Sequence, residues 1–292
     1  MRLFGSWVAL ITPFNKDNTI DFEGIKKLID FHIDNGTDGI LFLGTTGENP
    51  AIDYNEKIKI IEYGIKYVNG RIKTMVGSGT NNTNQSIEMT EIAKSAGADF
   101  ALVITPYYNK PNQEGLYRHF SKVSDSVDIP IVIYNVPGRT GVKIFPDTLS
   151  RLTTKTNIVA VKEASGDVDL ASEMILKTEC KIDIISGNDS LTIPLISIGC
   201  TGVISVIANI IPAYVSKMVH YALNSEWEKA KELHYKLFLL SKVMFIETNP
   251  IPVKTAANII KLPSGHLRLP LGPMSEENKQ KLIYAMNEFG IE

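Results

Sequence analysis

Two cysteines are the entire thiol complement of a 292-residue chain, and that scarcity removes several classes of protein. Cys180 and Cys200 stand outside any metal-ligand spacing. No disulfide framework or zinc site is expected to organise the fold, and a reducing compartment follows, with a Cys180–Cys200 bridge left as the alternative. Long apolar runs are also missing: no segment approaches the roughly 20 residues needed to span a bilayer. The opening "MRLFGSWVALITPFN" is interrupted by Gly5, Ser6 and Pro13, where a signal peptide wants an unbroken apolar stretch and a small-residue cleavage site. A cytoplasmic protein without a membrane segment is expected.

An excess of one charge is lacking as well. Thirty Lys and Arg stand against 32 Asp and Glu, which leaves no clustered basic surplus for nucleic acid. The five histidines (His32, His119, His220, His234 and His266) fall in expected helices or the C-terminal loop, unpaired with Cys or carboxylate at ligand spacing. No metal site is expected. No GxGxxG follows the first apolar run, and no Gly-Lys-Ser/Thr closes a glycine-rich turn, so neither a dinucleotide fold nor a Walker-type loop is supported. A glycosidase needs paired carboxylates, and Glu48 with Glu163 is the only obvious pair.

What the chain does contain is a rhythm. Short apolar runs recur at 7–11, 39–44, 73–79, 100–106, 129–137, 158–163, 182–187 and 202–206. Each is too short for an ordinary helix, carries β-branched residues and stops at Gly, Pro, Thr or Asn. Amphipathic segments separate them, with Asp21, Asp53, Asn82 or Thr83, Asp147 and Asp167 as expected caps. Eight strands alternating with helices imply parallel pairing through right-handed crossovers. Strands apolar on both faces fit a closed (β/α)8 TIM barrel, an α/β fold, with an open doubly wound sheet as runner-up. Four helices near 211–224, 226–246, 250–261 and 275–289 follow without strands. Residues 1–210 are therefore expected to form the barrel, and 211–292 a C-terminal helical appendage packed on it.

Chemistry in a barrel sits at the C-terminal ends of the strands. That rule selects "GTTGEN" (44–49), "TPYYNKP" (105–111), "YNVPGRTG" (134–141), the Lys162–Glu163 end of "IVAVKE", and "SGND" (186–189). Lys162 follows four apolar residues with no polar run-up. It reads either as a strand-end lysine snorkelling to solvent or as an amine whose pKa falls in an apolar site, freeing it to attack a carbonyl. Tyr134, on the neighbouring strand, is either a rim tyrosine or a proton relay. Arg139 is a solvated loop arginine or a fork for a carboxylate. The 44–49 turn offers hydroxyls and backbone N–H groups that can cradle an anion. Tyr107 and Tyr108 lie side by side on one loop, one read as an anchor and the other as functional.

"GTTGE" (44–48), "TPYYNKP" (105–111), "YNVPGRTG" (134–141), "VKEASGD" (161–167), "GVISV" (202–206) and "NPIPVK" (249–254) occur in the order found in the dihydrodipicolinate synthase family of class I pyruvate-dependent aldolases, which the chain resembles from Leu3 to about Tyr284. The resemblance implies a Schiff base between Lys162 and pyruvate, and a proton relay of Thr46, Tyr134 and Tyr108, with Tyr108 reaching in from a neighbouring subunit. It implies that the backbone of Thr45 and Thr46 holds the pyruvate carboxylate and that Arg139 binds L-aspartate 4-semialdehyde. Gly187 and Ile204 would line the pocket, no cofactor or metal would be needed, and a homotetramer is implied. An effector site for lysine would fall at Asn49, Tyr54, Lys57, Asn81, Gln85 and Tyr107. There Asn81 and Tyr107 keep the regulated pattern, whereas Tyr54 and Lys57 replace histidines and Gln85 replaces a glutamate. Losing a carboxylate and gaining a like charge both disfavour a cation, so weak or absent inhibition by lysine is expected. The alternatives are a sister aldolase, such as N-acetylneuraminate lyase or a keto-deoxy sugar acid aldolase, and a catalytically silent pyruvate-binding barrel.

Overall fold

A strand that is covered on both faces must be apolar at consecutive positions, and the apolar runs of this chain build such strands. The computed structural model describes residues 2–291. Its first half-ring consists of β1 (Gly5–Ala9), β2 (Gly39–Phe42), β3 (Lys73–Gly77) and β4 (Phe100–Ile104), separated by α1 (Phe22–Asp34), α2 (Tyr54–Val68) and α3 (Thr83–Ser95). After α4 (Gln113–Ser126) come β5 (Ile131–Asn135), the short helices α5 (Pro137–Thr140) and α6 (Pro146–Leu152), β6 (Ile158–Glu163), α7 (Val168–Thr178) and β7 (Asp183–Ser186). Then α8 (Thr192–Ser197) leads into β8 (Gly202–Ser205). All pairings are parallel, and β8 closes on β1 through Trp7↔Ile204 and Val8↔Ser205, so the sheet is a barrel rather than an open layer.

Side chains alternate between the two faces of each strand. Trp7, Leu41, Phe100, Val132, Ala160 and Ile204 belong to the cluster that fills the barrel, while the intervening positions pack under the helices in two outer clusters. The helix starts follow local chemistry: Asp21, Asn82 and Asp167 accept backbone N–H groups of their first turns, and Asp53 forms a capping box with Glu56. Asp147 does not cap. It lies within the first turn of α6, which Phe145 precedes and Pro146 opens, and there its charge still complements the helix dipole.

The four C-terminal helices are α9 (Pro212–Leu223), α10 (Trp227–Val243), α11 (Ile251–Ile259) and α12 (Glu276–Phe289). The first of them, expected as part of the appendage, packs on β1 and β8. A closed ring leaves an apolar seam outside β8 and β1, and Val215, Met218, Val219 and Ala222 of α9 bury themselves there, so α9 is the eighth barrel helix. The helices beyond it stack on one another through α10 and α12. Cys180 and Cys200 are both free, the first exposed and the second buried. No described helix is long and apolar enough to cross a membrane.

Candidate active site

The parallel register sets Tyr134 of β5 directly opposite Lys162 of β6 and, one step on, Asn135 opposite Glu163. Because faces alternate, Tyr134 and Lys162 share the barrel interior, whereas Glu163 turns the other way. There Glu163 accepts from Asn135 Nδ2 at 2.7 Å and from the Ser165 N–H, which removes it from any carboxylate pair with Glu48. Lys162 is 5% exposed, and its Nζ stands 4.4 Å from the centre of the Tyr134 ring. Burial is the main force on this amine and lowers its pKa from 10.5 to about 7, with Asp189 pulling upward and Arg139 pushing further down. The apolar run before Lys162 thus has a chemical consequence, since it removes the water that would favour the ammonium form.

Asp189 is the group that the strand pattern did not single out. It follows β7, is 3% exposed, and holds Oδ2 against the N–H groups of Val206 and Ile207 at 2.9 and 3.2 Å. Burial raises its carboxyl pKa. Nothing in "SGND" marked its fourth residue, because the burial comes from β8 and the turn after it. Gly187, two residues earlier, leaves room for the lysine: a Cβ there would meet Ala164 Cβ at 2.6 Å and Lys162 Cε at 3.1 Å. Ile204 is fully buried in the barrel cluster.

The 44–49 segment forms a 3₁₀ turn over Thr45–Gly47, in which successive side chains fan apart. Thr45 stands beside Tyr134, the two lining one cavity; burial raises the phenol pKa, while Arg139 and Thr45 act against that rise. Thr46, expected in that position, points elsewhere: its Oγ1 accepts from Asn249 Nδ2 at 3.0 Å. Arg139, exposed on α5, donates through Nη2 to the Asn249 carbonyl at 3.0 Å. The turn is held from behind as well. Glu48, at φ +56°, is locked by Lys254, which also donates to the Thr12 carbonyl at 3.0 Å. "NPIPVK" carried a resemblance in the sequence but no position, since its contacts reach back some 200 residues.

A cavity of about 270 Å3 extends from Thr45 and Tyr134 to Lys57, Gln85 and Tyr107. Burial depresses the Lys57 pKa. Asn49 also lines the cavity, but its Nδ2 is engaged by the carbonyls of Leu43 and Gly77 at 2.6 and 3.0 Å, bracing Leu43 at φ +54°. Tyr54 turns away to Glu88, with its hydroxyl 2.5 Å from Oε1. Asn81 accepts on its backbone carbonyl from Asn109 Nδ2 at 2.8 Å. Tyr108 is not brought to Lys162 of its own chain; it is 89% exposed, at φ +69°.

Residues 2–288 match the model of a family described as the dihydrodipicolinate synthetase family. The 4-hydroxy-tetrahydrodipicolinate synthase of Methanococcus vannielii is 51% identical over 288 residues, covering 98% of this chain and 99% of that one. Among solved structures, the dihydrodipicolinate synthase of Aquifex aeolicus superposes with a TM-score of 0.97 at 47% identity, covering 99% of both chains. The Cyanidioschyzon merolae enzyme, solved with lysine bound, gives 0.96 at 33% identity over the full length of both.

Proposed function

This chain belongs to the dihydrodipicolinate synthetase family, an enzyme family of lyases, and from that premise we propose that it condenses pyruvate with L-aspartate 4-semialdehyde through a Schiff base on Lys162. The observation that carries the reading is the buried Lys162 amine, with its pKa drawn down to about 7, facing Tyr134 at the mouth of the barrel.

With that pKa about half of the amine is uncharged at neutral pH. Its lone pair attacks the keto carbon of pyruvate, water leaves, and an iminium forms. The iminium withdraws electrons, so the methyl carbon loses a proton and an enamine results. That carbon attacks the aldehyde, forming the new C–C bond, and the aldehyde oxygen takes up a proton. The substrate's own amine then adds to the imine carbon, closing the ring and expelling Lys162. Dividing the reaction at a covalent intermediate replaces one difficult step with several easier ones.

Tyr134 is assigned the proton transfers, with Thr45 as its neighbour in the cavity. Tyr108, exposed in one chain, is assigned to the site of an adjacent subunit in a homotetramer built as a dimer of dimers. Backbone N–H groups of the Thr45–Thr46 turn and the Thr46 hydroxyl are assigned to the pyruvate carboxylate, and Arg139 to the carboxylate of the semialdehyde. The product feeds diaminopimelate and lysine biosynthesis, and a cytoplasmic location belongs to the same reading. The relative solved with lysine raises the question of feedback. Lys57 beside the cavity and Gln85 in place of an acid support weak or absent inhibition by lysine.

Borohydride reduction in the presence of pyruvate, followed by peptide mass spectrometry, tests the mechanism. The expected result is a reduced pyruvyl adduct on Lys162; an unlabelled Lys162 overturns the reading. Assays of semialdehyde condensation and of neuraminate cleavage in parallel separate this enzyme from its sister aldolases.

A further inference from the structure

Asn249 lies between α10 and α11, far in sequence from every strand end, yet it is 4% exposed and touches both groups assigned above to substrate carboxylates. Its side-chain Nδ2 donates to Thr46 Oγ1 at 3.0 Å, and its backbone carbonyl accepts from Arg139 Nη2 at 3.0 Å. Its Oδ1 is buried with no hydrogen-bond partner among the described residues.

We propose that Asn249 is a positioning residue for both substrates, turning the Thr46 hydroxyl toward the pyruvate carboxylate and aiming Arg139 at the semialdehyde. The inference rests on the function proposed above. A hydroxyl has one proton and two acceptor lone pairs. With the Asn249 amide donating to Thr46 Oγ1, that oxygen is engaged as an acceptor, and its own proton is free to serve an anion. A carboxylate in place of the amide reverses this polarity: the Thr46 hydroxyl must then donate to residue 249, and a second negative charge faces pyruvate. The Arg139 contact uses the backbone carbonyl, so it survives side-chain replacement as long as the segment keeps its path. The two functions of Asn249 are therefore separable.

Steady-state kinetics on the intact enzyme test this with Asn249→Asp and Asn249→Ala, alone and combined with Thr46→Val. The expected result is a KM for pyruvate raised about tenfold or more in Asn249→Asp, the loss of one charge-assisted hydrogen bond. The KM for the semialdehyde and the borohydride labelling of Lys162 at saturating pyruvate should stay near wild type. Asn249→Ala should add nothing to the pyruvate KM once Thr46 is Val, since the amide acts only through that hydroxyl. A pyruvate KM unchanged in both variants, or fully additive effects with Thr46→Val, overturns the proposal. Should the Asn249 variants fail to fold, Thr46→Ser and Thr46→Val decide: Ser must keep the pyruvate KM and Val must raise it, and equal values refute the role. Wild type that labels at Lys162 while the Asn249 variants keep wild-type constants sinks this inference alone. Wild type that does not label sinks the parent reading.

Discussion

Lys254 and Glu48 meet Nζ to Oε1 at 2.7 Å across 206 residues of sequence, with both side chains sealed from solvent. Glu48 also takes the backbone N–H of Arg268 at 2.9 Å, and Lys254 donates to two backbone carbonyls. The C-terminal segment is thereby bolted to the turn that carries Thr45 and Thr46. Burial lowers the Lys254 pKa to about 8 despite the attraction of Glu48.

Removing one member of such a pair strands a charge in an apolar interior. Lys254→Met should cost about 3–5 kcal/mol of stability, and adding Glu48→Gln should recover much of it. Urea unfolding of the wild type, the two single variants and the double variant reads the coupling. An unchanged midpoint in Lys254→Met contradicts the bolt.

Imine formation should follow the titration of Lys162. Below about 7 the amine is protonated and cannot attack; above it the free base dominates. Initial rates of pyruvate trapping with cyanoborohydride should therefore climb from pH 6 and level off above about 8. A rate still rising tenfold per unit at pH 9 would place the pKa near that of an exposed lysine.

The same burial costs stability. The unfolded chain holds this proton up to about 10.5 and the folded one only to about 7. Across that window unfolding takes up a proton, so this group's penalty is full below 7 and fades as pH rises. Lys162→Met should be more stable than wild type at pH 6 by on the order of 1–4 kcal/mol, with the gap narrowing by pH 9.5. Equal gaps at both pH values would sever stability from this amine.

Arg139→Ala should raise the KM for the semialdehyde about tenfold or more, as the loss of a charge-assisted carboxylate contact does. Pyruvate labelling of Lys162 should persist, because the arginine's charge opposes the ammonium rather than holding pyruvate. Loss of labelling would assign Arg139 to the first substrate.

Lysine should inhibit only weakly, with a constant above about a millimolar, less than ~4 kcal/mol of binding. Lys57→His with Gln85→Glu should lower it by removing a like charge and supplying a carboxylate. Tight inhibition of the unaltered enzyme contradicts the reading of Lys57.

Much of this protein is legible in its sequence. The eight apolar runs set strand number and parallel pairing, because a strand covered on both faces must be apolar throughout, whereas closure into a ring rests on the pairing of β8 with β1. Lys162 and Tyr134 stood out because strand ends are where such a barrel gathers its polar groups. Three relationships were not legible. Thr45 and Thr46 are chemically alike neighbours, and only the folded turn puts Thr45 in one cavity with Tyr134 while Thr46 meets Asn249. Asp189, whose charge acts on Lys162, is buried against the turn that follows β8. Asn249 and Lys254 act on a turn some 200 residues away. Periodicity records only what a residue's own element needs, so the sequence by itself determined the strand frame and put Lys162 at the end of one of its strands. Contacts between distant segments depend on how the chain closes on itself, and tertiary structure alone decided which side chains surround that lysine.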